Sequence, residues 1–445
     1  MERLLYQDLQ SWKSSERRKP LILRGARQVG KTHLLRTFAQ QEYHDHLYIN
    51  FEEETAVAQL FNENLNPDRI LKELAIYFKK EIKPKQTLLI FDEIQECPNA
   101  LNSLKYICEE KNEYHLAAAG SLLGVKLTKG FPVGKVNFLD LTPLNFFEFL
   151  KAIEETSLLQ LLKEVSDVKP LSEPFHNKLI KLLKYYLTIG GMPEAVATYV
   201  KNENLEEVRT IQTKILDAYM LDFAKHAPKE DLMKIMAVWN LLPSQLAKEN
   251  KKFIFTAISK SARAGAYEAA IQWLVDAGLI IKVHNITTPN LPLKAYANHN
   301  AFKVFMLDVG LLGGKSKLDP RTLLQGNALF KEFKGALTEN FVAQELQGTH
   351  PNELYYWSSP GKAELDFVIS SQQQIFPLEV KAGLSKQKKS LLVYAKKYSQ
   401  NNSPFALSRT TLRNFAYEGN IINYPLYAIS LFPGLSRLKK DILST

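Results

Sequence analysis

The stretch that decides the fold of the N-terminal part of this 445-residue chain is GARQVGKT, which comprises Gly25, Ala26, Arg27, Gln28, Val29, Gly30, Lys31 and Thr32. It fits the pattern G-x-x-x-x-G-K-[ST], with an apolar run at 21–23 before it and a helical pattern from His33 after it. Glycines let such a loop curl so that backbone N–H groups and a helix N-terminus face a phosphate, while Lys31 reaches the β and γ oxygens. The eight residues are therefore predicted to bind ATP, with Thr32 as a ligand of Mg²⁺.

A second motif downstream supports this prediction. The apolar run at 88–91 is followed directly by two carboxylates, Asp92 and Glu93, which is typical of a Walker B strand. Asp92 is predicted to position Mg²⁺ through water, and Glu93 is predicted to polarise the attacking water. The alternative is that both acids are solvent-exposed groups at the end of a core strand.

A third buried strand is indicated by Leu-Ala-Ala-Ala at 116–119, and Ser121 follows it closely. Ser121 is the candidate sensor of the γ-phosphate, because this strand is expected to lie beside the one that carries Asp92. A serine after a strand is also common as a turn residue or a helix cap, and that alternative stays open.

The spacing of these motifs predicts an α/β fold for the first domain. Short apolar runs alternate with helical patterns over 1–155, which predicts βαβ units, a parallel sheet and a P-loop NTPase core. Residues 156–250 contain no short apolar runs typical of strands and instead show the periodicity of helices, so a helical lid is predicted there. Gly190 and Gly191 are a candidate helix stop within it.

The remaining chain is predicted to contain three further segments. Residues 251–290 run as helix, turn, helix and a short strand, which is typical of a winged helix-turn-helix; a packing helix in an all-α spacer is the alternative. Residues 291–324 are a linker and the start of the C-terminal region, since they open with a Pro- and Asn-containing loop. Residues 325–445 read as a second α/β domain.

Several segments together resemble the AAA-type P-loop ATPases of bacteria and archaea that carry a C-terminal domain of uncharacterised function, the AAA_14 plus DUF4143 architecture. They are the loop described above, FEEE after INF, FDEIQECP, AAGSLL, LTPLNFFEFL, GGMPEAV and MLDVGLL. The resemblance implies a P-loop ATPase core, helical and winged-helix pieces, and a C-terminal domain related to the PD-(D/E)XK nucleases. The chain departs from the family pattern at Gly134 and Lys135, where Gly-Arg is usual. A lysine lacks the planar fork of arginine, so the source of any arginine finger stays open.

Acidic and basic residues in the C-terminal segment match a nuclease of this type in kind and order. Asp366 lies in a strand pattern, and Glu379 and Lys381 share one face at the end of the next strand because side chains alternate along a strand. Such a site needs oxygen ligands for Mg²⁺ and a lysine that positions or deprotonates water. Asp366, Glu379 and Lys381 are predicted to be catalytic, and Glu339, Asp366 and Glu379 to bind metal. An ion pair at a sheet edge is the alternative.

Composition limits the other classes of protein. Hydrophobic residues make up 45% and charged residues 23%, which excludes wholesale disorder and fibrous repeats. The two cysteines form no metal-binding pattern, and no signal segment or run of about 18 apolar residues is present, so a cytoplasmic protein without a membrane partner is predicted. The 57 Lys and Arg exceed the 47 Asp and Glu, and the net charge of +10 permits contact with nucleic acid.

These observations predict an ATPase that uses ATP and Mg²⁺ and that acts on DNA or is regulated by it, through a winged helix and a nuclease-like C-terminal domain. One alternative is an ATP-gated regulator that binds DNA or another protein and has a silent C-terminal domain. Another is a metal-dependent endonuclease. The oligomeric state and a protein partner are left open by the sequence.

Overall fold

The GARQVGKT loop joins a buried strand, Leu21–Gly25, to a helix, Lys31–Glu42, in the computed structural model of the chain. The structure describes residues 1–121, 132–248, 252–258, 263–325, 331–350, 353–361, 363–398 and 407–435. The chain forms two compact units, Met1–Thr142 with Asp276–Gly278, and Pro143–Val275 with Leu279–Thr445.

The first unit is built on a five-stranded sheet in which every strand pair is parallel, with the order β2-β3-β4-β1-β5. Its strands are β1 Leu21–Gly25, β2 Asp45–Asn50, β3 Thr87–Asp92, β4 His115–Ser121 and β5 Asn137–Asp140. Its helices are α1 Tyr6–Ser14, α2 Lys31–Glu42, α3 Thr55–Ala58, α4 Pro67–Tyr77 and α5 Pro98–Glu110. The predicted P-loop sheet is confirmed.

The strands of the first unit are apolar because the sheet is covered on both faces. All six residues of β3 are buried, as expected for a central parallel strand. Three phenylalanines, Phe51, Phe61 and Phe91, pack edge to face with ring centroids 5.4 to 5.8 Å apart. This core holds the ends of β2 and β3 in register, which positions the polar residues that follow them.

The second unit begins with the predicted helical region, and helices recur further along the chain. They are α6 Phe146–Ala152, α7 Thr156–Lys163, α8 Glu173–Ile189, α9 Pro193–Asn202, α10 Leu205–His226, α11 Leu232–Leu246, α12 Ala264–Asp276, α13 Val309–Lys315, α14 Thr322–Gln325, α15 Lys331–Thr349 and α16 Lys389–Tyr398. Helix α8 ends where the sequence predicts, since Gly190 follows it with a φ of 76°.

The second unit also contains an eight-stranded mixed sheet with the order β12-β13-β11-β10-β9-β8-β6-β7. Its strands are β6 Ile280–Ile286, β7 Ala297–Met306, β8 Tyr355–Ser358, β9 Glu364–Ser371, β10 Gln374–Val380, β11 Leu407–Thr411, β12 Ala416–Glu418 and β13 Ile421–Pro425. Helix α16 packs on this sheet through an aromatic cluster, in which Trp357 donates a 3.0 Å hydrogen bond to the Tyr398 hydroxyl.

The segment predicted as a winged helix-turn-helix differs from that prediction in two respects. In place of its first helix the described residues form a 3₁₀ turn, Phe255–Ala257, while 259–262 lie outside the described residues. Its strand, β6, is not a small wing, because it pairs with β7 and also, in parallel, with β8. A short apolar strand looks the same in a wing and in a large sheet, and the partner that decides between them lies far along the chain.

The second helix of that motif, α12, is present as predicted. The positions 290 and 324 lie within the second unit, whose sheet takes strands from both sides of each of them. The continuous part of the first unit ends at Thr142. The domain boundaries near 155, 290 and 324 stay predictions. Over the ranges for which the structure gives coordinates, no helix has the length and apolar content needed to span a membrane.

Candidate functional site

The predicted phosphate-binding loop turns sharply between β1 and α2. Gly30 immediately precedes the helix with a φ of 96°, a left-handed conformation that glycine adopts without a steric penalty. Gln28 also has a positive φ, 65°, which is uncommon for a residue with a side chain. The loop therefore has the curled backbone that brings N–H groups to one point.

Lys31 lies over this loop. Its side chain is buried, and Nζ donates hydrogen bonds of 3.0 Å to the carbonyl of Gly25 and 2.9 Å to that of Ala26. Val29 is also buried, and its carbonyl accepts a 2.9 Å hydrogen bond from Arg3. The ammonium group is thus held at the concave side of the turn, where an anion would meet it.

The first and second motifs meet through Thr32 and Asp92. Thr32 Oγ1 donates a 2.7 Å hydrogen bond to Asp92 Oδ2, and Asp92 is almost fully buried. The Tyr48 hydroxyl donates to the same carboxylate oxygen at 2.8 Å. Burial, the hydrogen bond and the charge of Asp92 all raise the pKa of Tyr48, so its hydroxyl remains a donor. A hydroxyl and a carboxylate side by side are hard oxygen donors, and they fit Mg²⁺.

Glu93 is held in an unusual conformation next to this pair. Its φ of 47° and ψ of 45° are left-handed, and its backbone N–H donates to Asp92 Oδ1 at 3.1 Å. Its carboxylate accepts a 2.5 Å hydrogen bond from Gln95 Nε2. Tyr48 and Gln95 are absent from the sequence prediction; the position of Gln95 two residues after Glu93 was the one local signal available.

Arg27 is part of the loop, and Ser121 lies next to the start of the loop in the sheet. Strand β4 pairs with β1 so that Ser121 is opposite Gly25. The Ser121 side chain lies outside the described part, so its role as a sensor stays a prediction. Arg27 Nη2 lies 3.8 Å from Glu52 Oε2. Lys135 forms an ion pair with Glu109 at 2.9 Å, within its own unit.

The four predicted residues of the C-terminal site lie close enough for their charges to affect one another's pKa values. Asp366 Oδ2 accepts a 2.8 Å hydrogen bond from the backbone of Val380, and Lys381 Nζ lies 3.0 Å from Glu379 Oε1. Burial and the neighbouring charge of Glu339 raise the pKa of Asp366. Burial alone lowers the pKa of Lys381, but Glu379, Asp366 and Glu339 outweigh it and raise that pKa.

A second lysine, Lys303, belongs to the same cluster and was not predicted. It lies on β7, its side chain is 1% exposed, and Nζ forms a hydrogen-bonded ion pair with Glu364. The same Nζ lies 3.9 Å from Asp366 Oδ1. The signal in the sequence was a lysine inside the apolar run AFKVFML at 301–307, where every residue is buried.

The metal site predicted for Glu339, Asp366 and Glu379 does not fit this arrangement. Within the described ranges, no group of three or more His, Cys, Asp or Glu side chains is placed to hold a metal ion. One oxygen of Asp366 accepts from Val380 and the other faces Lys303, while one oxygen of Glu379 is paired with Lys381. The ammonium groups of Lys303 and Lys381 therefore lie beside the carboxylates that were expected to bind a divalent ion.

The parallel sheet, the curled loop between β1 and α2, and the contact between Thr32 and Asp92 define a P-loop nucleotide-binding protein. Residues 17–150 match the family model described as AAA domain, residues 180–322 match Domain of unknown function (DUF8612), and residues 334–429 match Domain of unknown function (DUF4143). The chain is an AAA-type P-loop ATPase with a C-terminal DUF4143 domain. Its relation to nucleases stays a prediction.

The solved structures that the chain matches have low identity to it and TM-scores below 0.5. The Walker-type ATPase PABY2304 of Pyrococcus abyssi is 13% identical, with a TM-score of 0.42, over 70% of this chain and 94% of that one. The Aeropyrum pernix ORC1 protein in complex with DNA is 12% identical, with a TM-score of 0.28, over 71% and 90%. AMPPCP-bound DnaA from Aquifex aeolicus is 16% identical, with a TM-score of 0.28, over 61% and 85%. No match was found among curated proteins.

Proposed function

We propose that the chain binds ATP with Mg²⁺ and hydrolyses it at the loop from Gly25 to Thr32. The observation that carries this proposal is the 2.7 Å hydrogen bond between Thr32 and Asp92, because it joins the two motifs that share a metal ion in P-loop ATPases. Thr32 and Asp92 hold Mg²⁺, which neutralises charge on the phosphates when it is bound. Lys31 contacts the β and γ oxygens from the concave side of the loop.

In this proposal Glu93 orients and polarises the water that attacks the γ-phosphate. The support is its position directly after Asp92, and the hydrogen bond from Gln95 that limits the rotation of its carboxylate. Thr32 and Tyr48 both donate to Asp92 Oδ2, which holds that carboxylate beside Thr32, its proposed partner in binding Mg²⁺. The two acids thus have separate roles, binding for Asp92 and water activation for Glu93.

The experiment is a comparison of Glu93→Gln with the wild type, and with Glu96→Gln, which changes an exposed glutamate three residues further on. Glu93→Gln is expected to bind ATP as the wild type does and to lose about 100-fold or more in turnover, the usual range for removal of a general base. Glu96→Gln is expected to keep both ATP binding and turnover at the wild-type level. Wild-type turnover in Glu93→Gln would place the base elsewhere.

A second candidate function, action on DNA, is favoured by one basic surface. Lysines in and just before α16 are exposed, and Lys397 Nζ lies 5.3 Å from the ring of Tyr398. The four that recur along this segment are Lys388, Lys389, Lys396 and Lys397. Clustered lysines attract phosphates and make binding dependent on salt. We propose that DNA contacts this surface and changes the rate of ATP hydrolysis.

The test is the ATPase rate with and without duplex DNA, at two salt concentrations, for the wild type and two fourfold variants. One variant changes Lys388, Lys389, Lys396 and Lys397 to glutamine and is called the basic-surface variant. The control makes the same change at four exposed lysines of the first unit, Lys72, Lys79, Lys85 and Lys105. If DNA stimulates ATP hydrolysis by the wild type and by the control but not by the basic-surface variant, the result supports a role for DNA. No DNA effect on the wild type favours the alternative of an ATP-gated protein regulator.

A further inference from the structure

A cluster of charged side chains around the buried Lys303 lies in the second unit, and the ATPase proposal does not use it. Strand β7 is the last strand in the order of the eight-stranded sheet, three places from β9. The side chain of Lys303 nevertheless reaches Glu364 and Asp366 on β9. Nζ also lies 4.9 Å from the centre of the Tyr356 ring, which adds a cation–π contact.

A buried ammonium group is retained only where its surroundings compensate for the loss of water. Lys303 Nζ forms a hydrogen-bonded ion pair with Glu364 and lies 3.9 Å from Asp366 Oδ1, so Lys303 carries its positive charge within the cluster. Its nearest groups are carboxylates and the face of an aromatic ring, the surroundings that a cation requires.

Two ammonium groups and one backbone N–H face three of the carboxylate oxygens of the cluster. Val380 N–H and Lys303 Nζ face the two oxygens of Asp366, and Lys381 Nζ faces one oxygen of Glu379. An Mg²⁺ ion bound to Asp366 Oδ1, at about 2.1 Å, would lie within about 6 Å of Lys303 Nζ. Two cations that close in a buried cluster repel each other, because the dielectric screening there is weak.

Glu379 has a carboxylate oxygen that makes no hydrogen bond. Glu379 is 2% exposed, and its Oε2 has no hydrogen bond, while its other oxygen pairs with Lys381. A carboxylate oxygen in that position is a ready ligand if a second cation can approach. The positive charge of Lys303 opposes such an approach.

We infer that Lys303 is the resident cation beside Glu364 and Asp366, and that its charge keeps a divalent metal ion from binding at Asp366. The ammonium group links the β6–β7 hairpin to β9 and offsets part of the negative charge of the carboxylates around it. Removing that charge should convert the cluster into a site for one divalent cation. This inference goes beyond the ATPase proposal and does not depend on it.

The experiment measures Mn²⁺ binding to the full chain without nucleotide, by the loss of the free-ion electron paramagnetic resonance signal. The wild type and Asp366→Asn are expected to bind the same amount of Mn²⁺, since any binding at Thr32 and Asp92 is common to both. Lys303→Met, which keeps the length of the side chain but removes its charge, is expected to bind one additional Mn²⁺ per chain. Lys303→Met combined with Asp366→Asn should lose that ion.

A matched control is Lys282→Met, which changes a half-buried lysine on the neighbouring strand whose Nζ lies over the ring of Phe302. It is expected to gain no ion. A wild-type protein that binds one Mn²⁺ more than Asp366→Asn would overturn the inference, as would a folded Lys303→Met that gains none. If Lys303→Met does not fold, the comparison of wild type with Asp366→Asn still tests whether the native cluster binds a metal ion, and Lys303→Gln takes the place of Lys303→Met in the measurement of the additional ion.

Discussion

The backbone N–H of Gly191 donates a 2.6 Å hydrogen bond to Oδ2 of Asp308, a fully buried carboxylate on a distant part of the chain. Asp308 also accepts from the backbone of Leu311, at the start of α13, and from Gln344 on α15. The GGMPEAV and MLDVGLL segments, which carry much of the family resemblance, therefore meet each other. They join the helical region to the helix that precedes the C-terminal strands, and their role is structural.

Replacement of Gly191 by alanine is expected to destabilise the second unit by at least about 2 kcal/mol, the range for forced overpacking. A Cβ at this position would lie 2.0 Å from the Leu144 carbonyl, a backbone atom that cannot move alone. The control is Gly265→Ala in α12, where a Cβ meets no atom within 4 Å and helix propensity favours alanine. Denaturant titration should show a lower free energy of unfolding for Gly191→Ala and no decrease for Gly265→Ala.

The stability of the second unit is expected to fall as pH rises from about 4.5 to 7, owing to Glu345. This residue is buried, which raises its pKa to about 7 even though Phe146 N–H and the Ser430 hydroxyl donate to it. Native Glu345 thus keeps its proton to higher pH than the unfolded chain does, and its ionisation costs about 3 kcal/mol by pH 8.

Glu345→Gln is the test of this pH dependence. Glutamine can accept from Phe146 and donate to Ser430. The free energy of unfolding of the variant should therefore rise relative to that of the wild type by up to about 3 kcal/mol between pH 5 and pH 8. Tryptophan fluorescence suits the measurement, because Trp239, Trp273 and Trp357 all lie in the second unit. Glu353→Gln, at an exposed position, is the control. An unchanged pH profile would show that Glu345 is not protonated in the native protein.

Lys31→Ala is expected to abolish measurable ATP binding and leave the fold intact. The reason is that Lys31 Nζ is held at the concave side of the loop by Gly25 and Ala26, and nothing replaces its charge there when the side chain is cut back. Calorimetric titration of ATP with Mg²⁺ measures the effect, and Lys72→Ala, an exposed lysine on α4, serves as the control. Binding that survives in Lys31→Ala would remove the nucleotide-site assignment.

The chain without DNA or a partner is expected to be a monomer or a weak oligomer with slow hydrolysis. At the position where the family pattern has arginine, Lys135 forms an ion pair with Glu109 of its own chain, and lysine cannot clamp a phosphate as arginine does. Light scattering of ATP-bound Glu93→Gln is the measurement. A stable hexamer in that experiment contradicts the expectation.

Local patterns made the nucleotide site predictable. The loop needs eight consecutive residues between a strand and a helix, and Asp92 and Glu93 end an apolar strand, so both motifs can be recognised without their partners. The same holds for the strands that carry Asp366 and Glu379, because period-two alternation sets which side chains share a face. The residue types and the faces on which they lie were determined by the sequence alone.

Only the tertiary structure decided which groups share a site across different elements. Tyr48 reaches Asp92 because β2 pairs with β3, and β6 joins the large sheet because β8 lies beside it. Lys303 enters the C-terminal cluster from the far end of the sheet order, and its charge changes what Asp366 can bind. Strand pairing and buried electrostatics depend on distances between residues that are remote along the chain, and no local spacing contains those distances.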